Sequence, residues 1–421
     1  MLDILMKDIL GTPAILVGLF ALLGLLLQKK DIASVVSGTL KTVMGFIIIG
    51  AGANVIIGSL DIFGKMFDAA FHGKGIIPNN EAIVAVAQEK IGTATAMIMV
   101  FGMIMNLVFA RFTKFKYVFL TGHHTLFMAC LIAATLSVSN LSNIAIIAIG
   151  SVILGLCMVL FPALLQPTVR QITGSDDFAI GHFGSVGYFI SASIGKLVGN
   201  KEKSTETIKV PKSLGFLRDT SVAVSLTMTV LFLIVALFAG PEYVEKELSK
   251  GSNFLVFSFI QAITFAAGVY IVLAGVRMLI AEIVPAFKGI ADKLVPNARP
   301  ALDCPTVFPF APNAVIIGFL FSFLAGIISM FILPVLGLKV IVPGLVPHFF
   351  TGATAGVFGN ATGGRRGAIF GSIANGLVIS LLPALLLPLL GDLGFQNTTF
   401  GDADFGIIGI LISSILKLFG A

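Results

Sequence analysis

Four ionisable side chains stand where an apolar chain gives them little reason to be: Glu81, His123, His182 and Asp303. Ionisable groups in stretches hydrophobic enough for a bilayer are expensive, and they mark function by default. An imidazole can donate and accept at once, and a carboxylate accepts from hydroxyls. The set therefore suits a small polyhydroxylated solute. His124 follows His123, and on a regular helix it points about 100° away, so His123 is the one expected to face the ligand. Both carboxylates also have a plain structural reading. In Pro78-Asn79-Asn80-Glu81 an asparagine caps a helix with Glu81 in its first turn, and Asp303 before Cys304-Pro305 caps another.

Other chemistries find no support. There is no paired His/Cys spacing, no His-Glu-x-x-His helix and no Ser-His-Asp arrangement. Catalytic residues, metal ligands and cofactors are accordingly not expected. Gly359-Asn360-Ala361-Thr362-Gly363-Gly364-Arg365-Arg366 looks like a phosphate loop but lacks the Walker spacing, and reads as a tight cytoplasmic turn. Cys130, Cys157 and Cys304 lie in or beside apolar runs and read as unpaired packing residues. His72 and His348 read as interfacial, and Arg277 as a partner of Glu282 or a snorkelling side chain.

The polar positions recur. Gly45 and Gly52, then Pro78 with Glu81, then Thr121-Gly122 are followed in the same order by Gly268 and Gly275, Pro300 with Asp303, and Thr351-Gly352. A polar break at matching places in two apolar halves is the pattern of a transporter site at a repeat interface.

Composition sets the elements that must carry these groups. The chain is 57% hydrophobic and only 11% charged, with a mean hydropathy of +1.04. Soluble domains carry roughly 25% charged residues, so an all-α polytopic membrane protein is expected. The net charge of +6 does not indicate nucleic acid, because the basic residues sit in short loops between apolar runs. A crossing needs about 20 apolar residues. Runs of that kind begin near Thr12, Ala33, Thr93, Tyr117, Asn143, Thr220, Phe254, Pro312, Val340, Gly367 and Asp404, or about eleven spans. Residues 77–92, 178–199 and 303–312 are apolar but broken, and are expected to be re-entrant or hairpin elements.

Lysines and arginines concentrate in alternate loops, among them Lys29, Lys30, Arg111, Lys201, Arg299 and Arg365. The positive-inside rule puts these in the cytoplasm, with the N-terminus outside and the C-terminus inside. The repeats then run in opposite senses. They are expected at residues 1–199 and 220–400, joined by a cytoplasmic connector at 200–219 and followed by an extra span at 401–421. The connector is either a solvated link or a docking surface for a cytosolic partner. The first apolar run ends at Lys29-Lys30 without a small-residue cleavage site, so no signal peptide is expected.

Four strings carry a resemblance: Leu120-Thr121-Gly122-His123, Ile180-Gly181-His182, Ala301-Leu302-Asp303-Cys304, and Phe308-Pro309-Phe310-Ala311-Pro312-Asn313-Ala314. With Pro347, Phe349-Phe350 and residues 353–358 in order, nearly the whole chain is similar to the ascorbate-type membrane component, enzyme IIC, of the bacterial phosphoenolpyruvate-dependent sugar phosphotransferase system. The resemblance implies a plasma-membrane homodimer with a substrate-holding core and a V-shaped scaffold. It implies import of L-ascorbate or a related small sugar or polyol, phosphorylated by a separate cytosolic IIB that is charged through IIA. The chain itself would then be no enzyme on its own. His123, His182 and Asp303 match the family's pocket, with Asn80, Glu81, Gly52, Ala53, Thr354 and Ala355 lining it. Phe127 and Phe183 stand where ascorbate transporters carry glutamine, and Glu81 stands near an aromatic hydroxyl's place. The alternative is an ion-coupled transporter in which Glu81 and Asp303 bind a proton or Na⁺.

Overall fold

The computed structural model describes residues 13–71, 75–208, 220–390 and 398–418. Twelve helices follow in order among them: α1 (Pro13–Leu27), α2 (Ile32–Phe71), α3 (Asn80–Phe112), α4 (Gly122–Ser137), α5 (Asn143–Thr173), α6 (Ser185–Val198), α7 (Thr220–Ala239), the single turn α8 (Pro241–Tyr243), α9 (Phe254–Lys293), α10 (Pro312–Val335), α11 (Leu345–Leu386) and α12 (Ala403–Leu418). Local signals account for their ends. Asp31 accepts from the Ser34 amide before α2, and Ser142 from that of Ala145 before α5. Gly174, at φ 73°, closes α5 in the left-handed region that glycine favours.

Six of the described helices are long and apolar enough to cross a membrane, or seven if the bent pair of α7 with the segment after it is one span. This falls short of the expected eleven, because several apolar runs are divided. The run from Tyr117 opens as a strand and leaves α4 only 16 residues, and α1 and α12 have 15 and 16. The three broken stretches are interrupted in the structure as well. Residues 77–92 form a two-residue strand and the first part of α3, which breaks at Ile91 (φ −124°). Residues 178–199 form a strand and α6, and Cys304–Phe310 is a 3-10 helix.

The fold is not purely helical. Five short strands, β1 (Ile77–Pro78), β2 (Tyr117–Phe119), β3 (Ala179–Ile180), β4 (Arg299–Leu302) and β5 (Thr398–Thr399), make two small parallel sheets. Extended backbone inside an apolar protein must find partners for its amides. Here each half supplies them to the other. β4 lies between β2 and β3, with Val118 opposite Pro300 and Ala179 opposite Ala301. β1 lies between β5 and an isolated bridge, with Ile77 opposite Thr398 and Ile76 opposite Ile341. The first-half strand is thus flanked by second-half segments, and the second-half strand by first-half segments.

The same reciprocity governs the contact of α2 with α9. A Cβ on Gly52 would lie 2.8 Å from the Gly268 carbonyl, and one on Gly275 would lie 2.9 Å from that of Gly45. The repeated glycines therefore meet in crossed pairs, and the helices pass antiparallel at backbone contact. α1 and α7 pack on this pair, while α3–α6 and α10–α12 pack among themselves. Glu282 of α9 pairs with Lys41 of α2 at 3.3 Å rather than with Arg277.

Two other expectations change. His348 is not interfacial: it is 2% exposed, and its Nδ1 is 2.9 Å from Ser322 Oγ between α10 and α11. The connector's described part is hydrogen-bonded to α10 and α11. The Glu206 carboxylate accepts from the Asn313 and Ala314 amides at the start of α10, and Asn360 Oδ1 accepts from the Thr205 amide. The expected glycine turn in α11 is a break at Gly364 (φ 58°). Residues 209–219 and His72 lie outside the described residues. The three cysteines are buried and unpaired by disulfides.

Candidate functional site

Each strand delivers a polar residue to one cavity. Asn79 and Asn80 follow β1, His123 and His124 follow β2, His182 follows β3, Asp303 follows β4, and Asp402 follows β5. The cavity encloses about 890 Å³ of empty space, its open mouth included, and Phe46, Ile49, Gly50 and Ile57 of α2 close one side. The other apolar wall is Phe127, Pro305, Val346, Pro347 and Phe350.

Helices α3, α4, α6, α12 and the 3-10 helix start after these strands, and with α11 they begin around this cavity. Helix N-termini carry partial positive charge and unsatisfied amides. Two carboxylates answer part of that. Asp404 accepts from the Ser185 and Val186 amides at 2.8 Å each, which caps α6 from α12. Asp303 accepts from the Cys304 amide at 2.7 Å.

Asp303 therefore satisfies both of its sequence readings: it caps the 3-10 helix and faces the cavity. Its Oδ2 lies 3.4 Å from His123 Nε2, and its Oδ1 lies 3.9 Å from His182 Nε2. The tautomer of His182 follows from its other nitrogen. The Gly184 amide donates to Nδ1 at 3.1 Å, so the imidazole proton sits on Nε2, the nitrogen on the Asp303 side. Tyr188 Oη, at 2.8 Å from the same Nδ1, adds a second restraint on the ring. His123, 36% exposed at its side chain, is the most accessible of the three histidines in the wall.

His124 was expected to face away, yet it lines the cavity, 4% exposed, with its ring 3.8 Å from that of His182. The two histidines open α4. A cavity wrapped around a helix end is met by neighbours that a cavity along one side would separate. Asn80 is also present, its Nδ2 donating to Asp402 Oδ2 at 2.9 Å and its Oδ1 accepting from the Gly401 amide at 2.9 Å.

Three expected wall residues are placed elsewhere. Gly52 packs into the α2–α9 crossing, and the neighbouring Gly50 is the glycine at the cavity. Thr354 donates to the Phe350 carbonyl within α11, and Ala355 accepts from Ser191 of α6. The side chains of Ala53 and Glu81 lie outside the described residues. Phe183 stacks on Phe119 at 4.9 Å, away from the cavity wall, whereas Phe127 lines it. Asp402 is the residue the sequence reading missed. Its signal was available, since Gly401-Asp402-Ala403-Asp404 sets two carboxylates at the start of an apolar helix.

The structure also gathers metal-ligand types that no local spacing announced. His124, His182 and Asp402 bring donor atoms within 4.8 Å of one another. A metal-bound histidine ordinarily donates from its second nitrogen, but His182 Nδ1 accepts from Gly184. That polarity suits hydrogen bonding to a solute better than ligation.

Membrane-length helices around an internal cluster of imidazoles and carboxylates define an integral membrane protein with its polar chemistry held inside. The chain belongs to the EIIC-GAT family, described as the PTS system sugar-specific permease component, whose model matches residues 8–404. Members are permease subunits of the phosphotransferase system and are not catalytic on their own. The chain is also similar to the ascorbate-specific PTS system EIIC component of Mycoplasma pneumoniae, 26% identical over 423 residues. That match covers 86% of this chain and spans 63% of the relative's length.

Proposed function

We propose that this permease imports L-ascorbate or a closely related small sugar or polyol, and that a separate cytosolic IIB phosphorylates the solute on the inner side. The observation that carries this reading is the cavity itself. Imidazoles of His123, His124 and His182 line it beside the Asp303 carboxylate, six helices begin around it, and Phe46, Phe127 and Phe350 give it apolar wall. An enediol lactone offers acidic oxygens to the donors and side-chain hydroxyls to the carboxylate. Its ring faces match Phe46, Phe127 and Phe350.

In this reading α1, α2, α7 and α9 are the V-shaped scaffold, and the remaining long helices are the core that carries the solute past it. The crossed glycine pairs and reciprocal strands support two inverted repeats related by a pseudo-two-fold axis. They also support α12 as the counterpart of α6, since each follows the last strand of its half. The N-terminus lies outside and the C-terminus inside, and the working unit is a homodimer.

The deciding experiment is binding of L-ascorbate to the purified protein beside a panel of pentoses, hexoses and polyols, followed by uptake into proteoliposomes. Saturable binding with uptake that requires phospho-IIB supports the proposal. Uptake driven by an imposed proton or Na⁺ gradient, without IIB, would replace it with ion-coupled transport.

A further inference from the structure

A second cavity adjoins the first. It encloses about 830 Å³ of empty space, and Asn79, Val346 and Pro347 line both. Helix α2 runs along the pair. Phe46, Ile49, Gly50 and Ile57 face the histidine cavity, and Leu60, Asp61, Lys65 and Asp68 face its neighbour, beginning about one turn further on. The partition between the cavities draws on both halves of the chain. A Cβ on Gly344, just before α11, would lie 2.6 Å from the Pro78 carbonyl, so a second-half helix start and a first-half strand meet there at backbone contact.

Asp61, Lys65 and Asp68 are exposed, and apart from Lys41 they are the only charged residues of α2. Their spacing of four and then three residues puts them on one face. The plain reading is the solvated end of a helix about 60 Å long, twice the thickness of the hydrocarbon. That accounts for the charges but not for the wall they share. Phe67, Phe323, Val342 and Pro343 complete the cavity with apolar surface. A lipid chain would suit that surface and leave three charges unanswered. A sugar-like solute suits both: carboxylates accept from its hydroxyls, the ammonium donates to its oxygens, and the apolar wall takes a ring face.

We propose that this cavity is a second, outer binding site for the polyhydroxylated solute, filled before the histidine cavity, with Asn79, Val346 and Pro347 as the partition between the two. The inference rests on the histidine cavity being the solute site. With Lys29 and Lys30 in the cytoplasm, α2 runs outward, which puts Asp61, Lys65 and Asp68 on the side of entry. Water competes for these exposed groups, so the outer site is the weaker of the two.

The test sets a reporter thiol in the outer cavity as Asp61→Cys and follows its alkylation by a charged maleimide in the intact protein, with and without L-ascorbate. The three native cysteines are buried, so the reporter is read over a low background. L-ascorbate should slow alkylation saturably. Asp303→Asn should leave the midpoint of that protection in place, whereas Lys65→Gln or Asp68→Asn raises it about threefold or more. Thermal unfolding of each variant checks that these exposed substitutions keep the fold. No slowing at about a hundred times the inner-site Kd, or protection that Asp303→Asn abolishes, overturns the outer site. Protection indifferent to both Lys65→Gln and Asp68→Asn overturns it as well. If L-ascorbate does not bind the unsubstituted protein, its identity as substrate fails separately, and the panel member that does bind is used in the same assay. If none binds, both readings fall.

Discussion

His123 Nε2 stands 3.4 Å from Asp303 Oδ2, although 123 opens a helix in the first half of the chain and 303 caps a 3-10 helix in the second. The contact joins two polar breaks that sequence order keeps far apart, and it sits on the wall of the cavity where all five strands end.

Removing either partner tests the site without attacking the fold. His123→Ala and Asp303→Asn should each weaken solute binding by roughly ten- to hundredfold, the worth of one charge-assisted hydrogen bond. The melting temperature should hold, because His123 is partly exposed and neither residue belongs to the packed core. Equilibrium binding together with a thermal melt checks both halves. Unchanged affinity in both variants would take these residues out of the site.

The two glycines of α2 should part company. Gly52→Leu drives a side chain into the Gly268 and Val272 backbone, where even a Cβ would sit 2.7 Å from the Val272 nitrogen. Overpacking of this kind costs about 1–3 kcal/mol, read as a lower melting temperature. Gly50→Ala meets nothing within 4 Å and should fold normally while altering affinity, since Gly50 lines the cavity. Equal melting temperatures for the two variants would contradict the crossing.

Gly364→Ala tests the break in α11. Its φ of 58° with ψ of −146° is close to glycine-only backbone, and a Cβ there would press on the Asn200 and Lys203 carbonyls. A loss of about 1–3 kcal/mol is expected, with faster proteolysis of the segment at 200–207 that docks on the break. A variant as stable as the parent would mean the break tolerates a side chain.

Asp176, outside the spans, predicts an acid limb. Burial works to raise its carboxyl pKa. Side-chain hydrogen bonds from Arg170 and Gln166, with the charge of Arg299 nearby, outweigh burial and hold it below the ordinary carboxylate value. The sign follows from linkage: a depressed folded pKa contributes stability that is present above the unfolded value and lost as pH falls through the folded one. Stability should therefore drop as pH falls below about 3.9, and Asp176→Asn should flatten that part of the profile. The group is largely exposed, so added salt should shrink the effect. An identical acid limb in the variant would assign it to other carboxylates.

Much of the site was legible because breaks in an apolar chain are local signals. Pro78, Pro300 and the glycine-flanked His182 announce backbone that leaves a helix, and strands β1, β3 and β4 lie beside those residues. His123, His182, Asn80 and Asp303 were readable for the same reason. Counting spans was less secure. The run from Tyr117 has a crossing's hydropathy, but its first residues pair with β4, a partner that lies in the other half of the chain.

What the sequence by itself determined is the membrane class, the repeated polar breaks and the family, since all three depend on composition and spacing along the chain. Facing and partnership were decided by tertiary structure alone. Gly52 turns to α9 while Gly50 turns to the cavity; His124 joins His123 because the cavity wraps a helix end; Asp402 reaches the site because Asn80 from the other half holds it there. Each of these depends on what packs opposite, and residues distant in sequence choose that neighbour through apolar packing and the need to satisfy every buried amide.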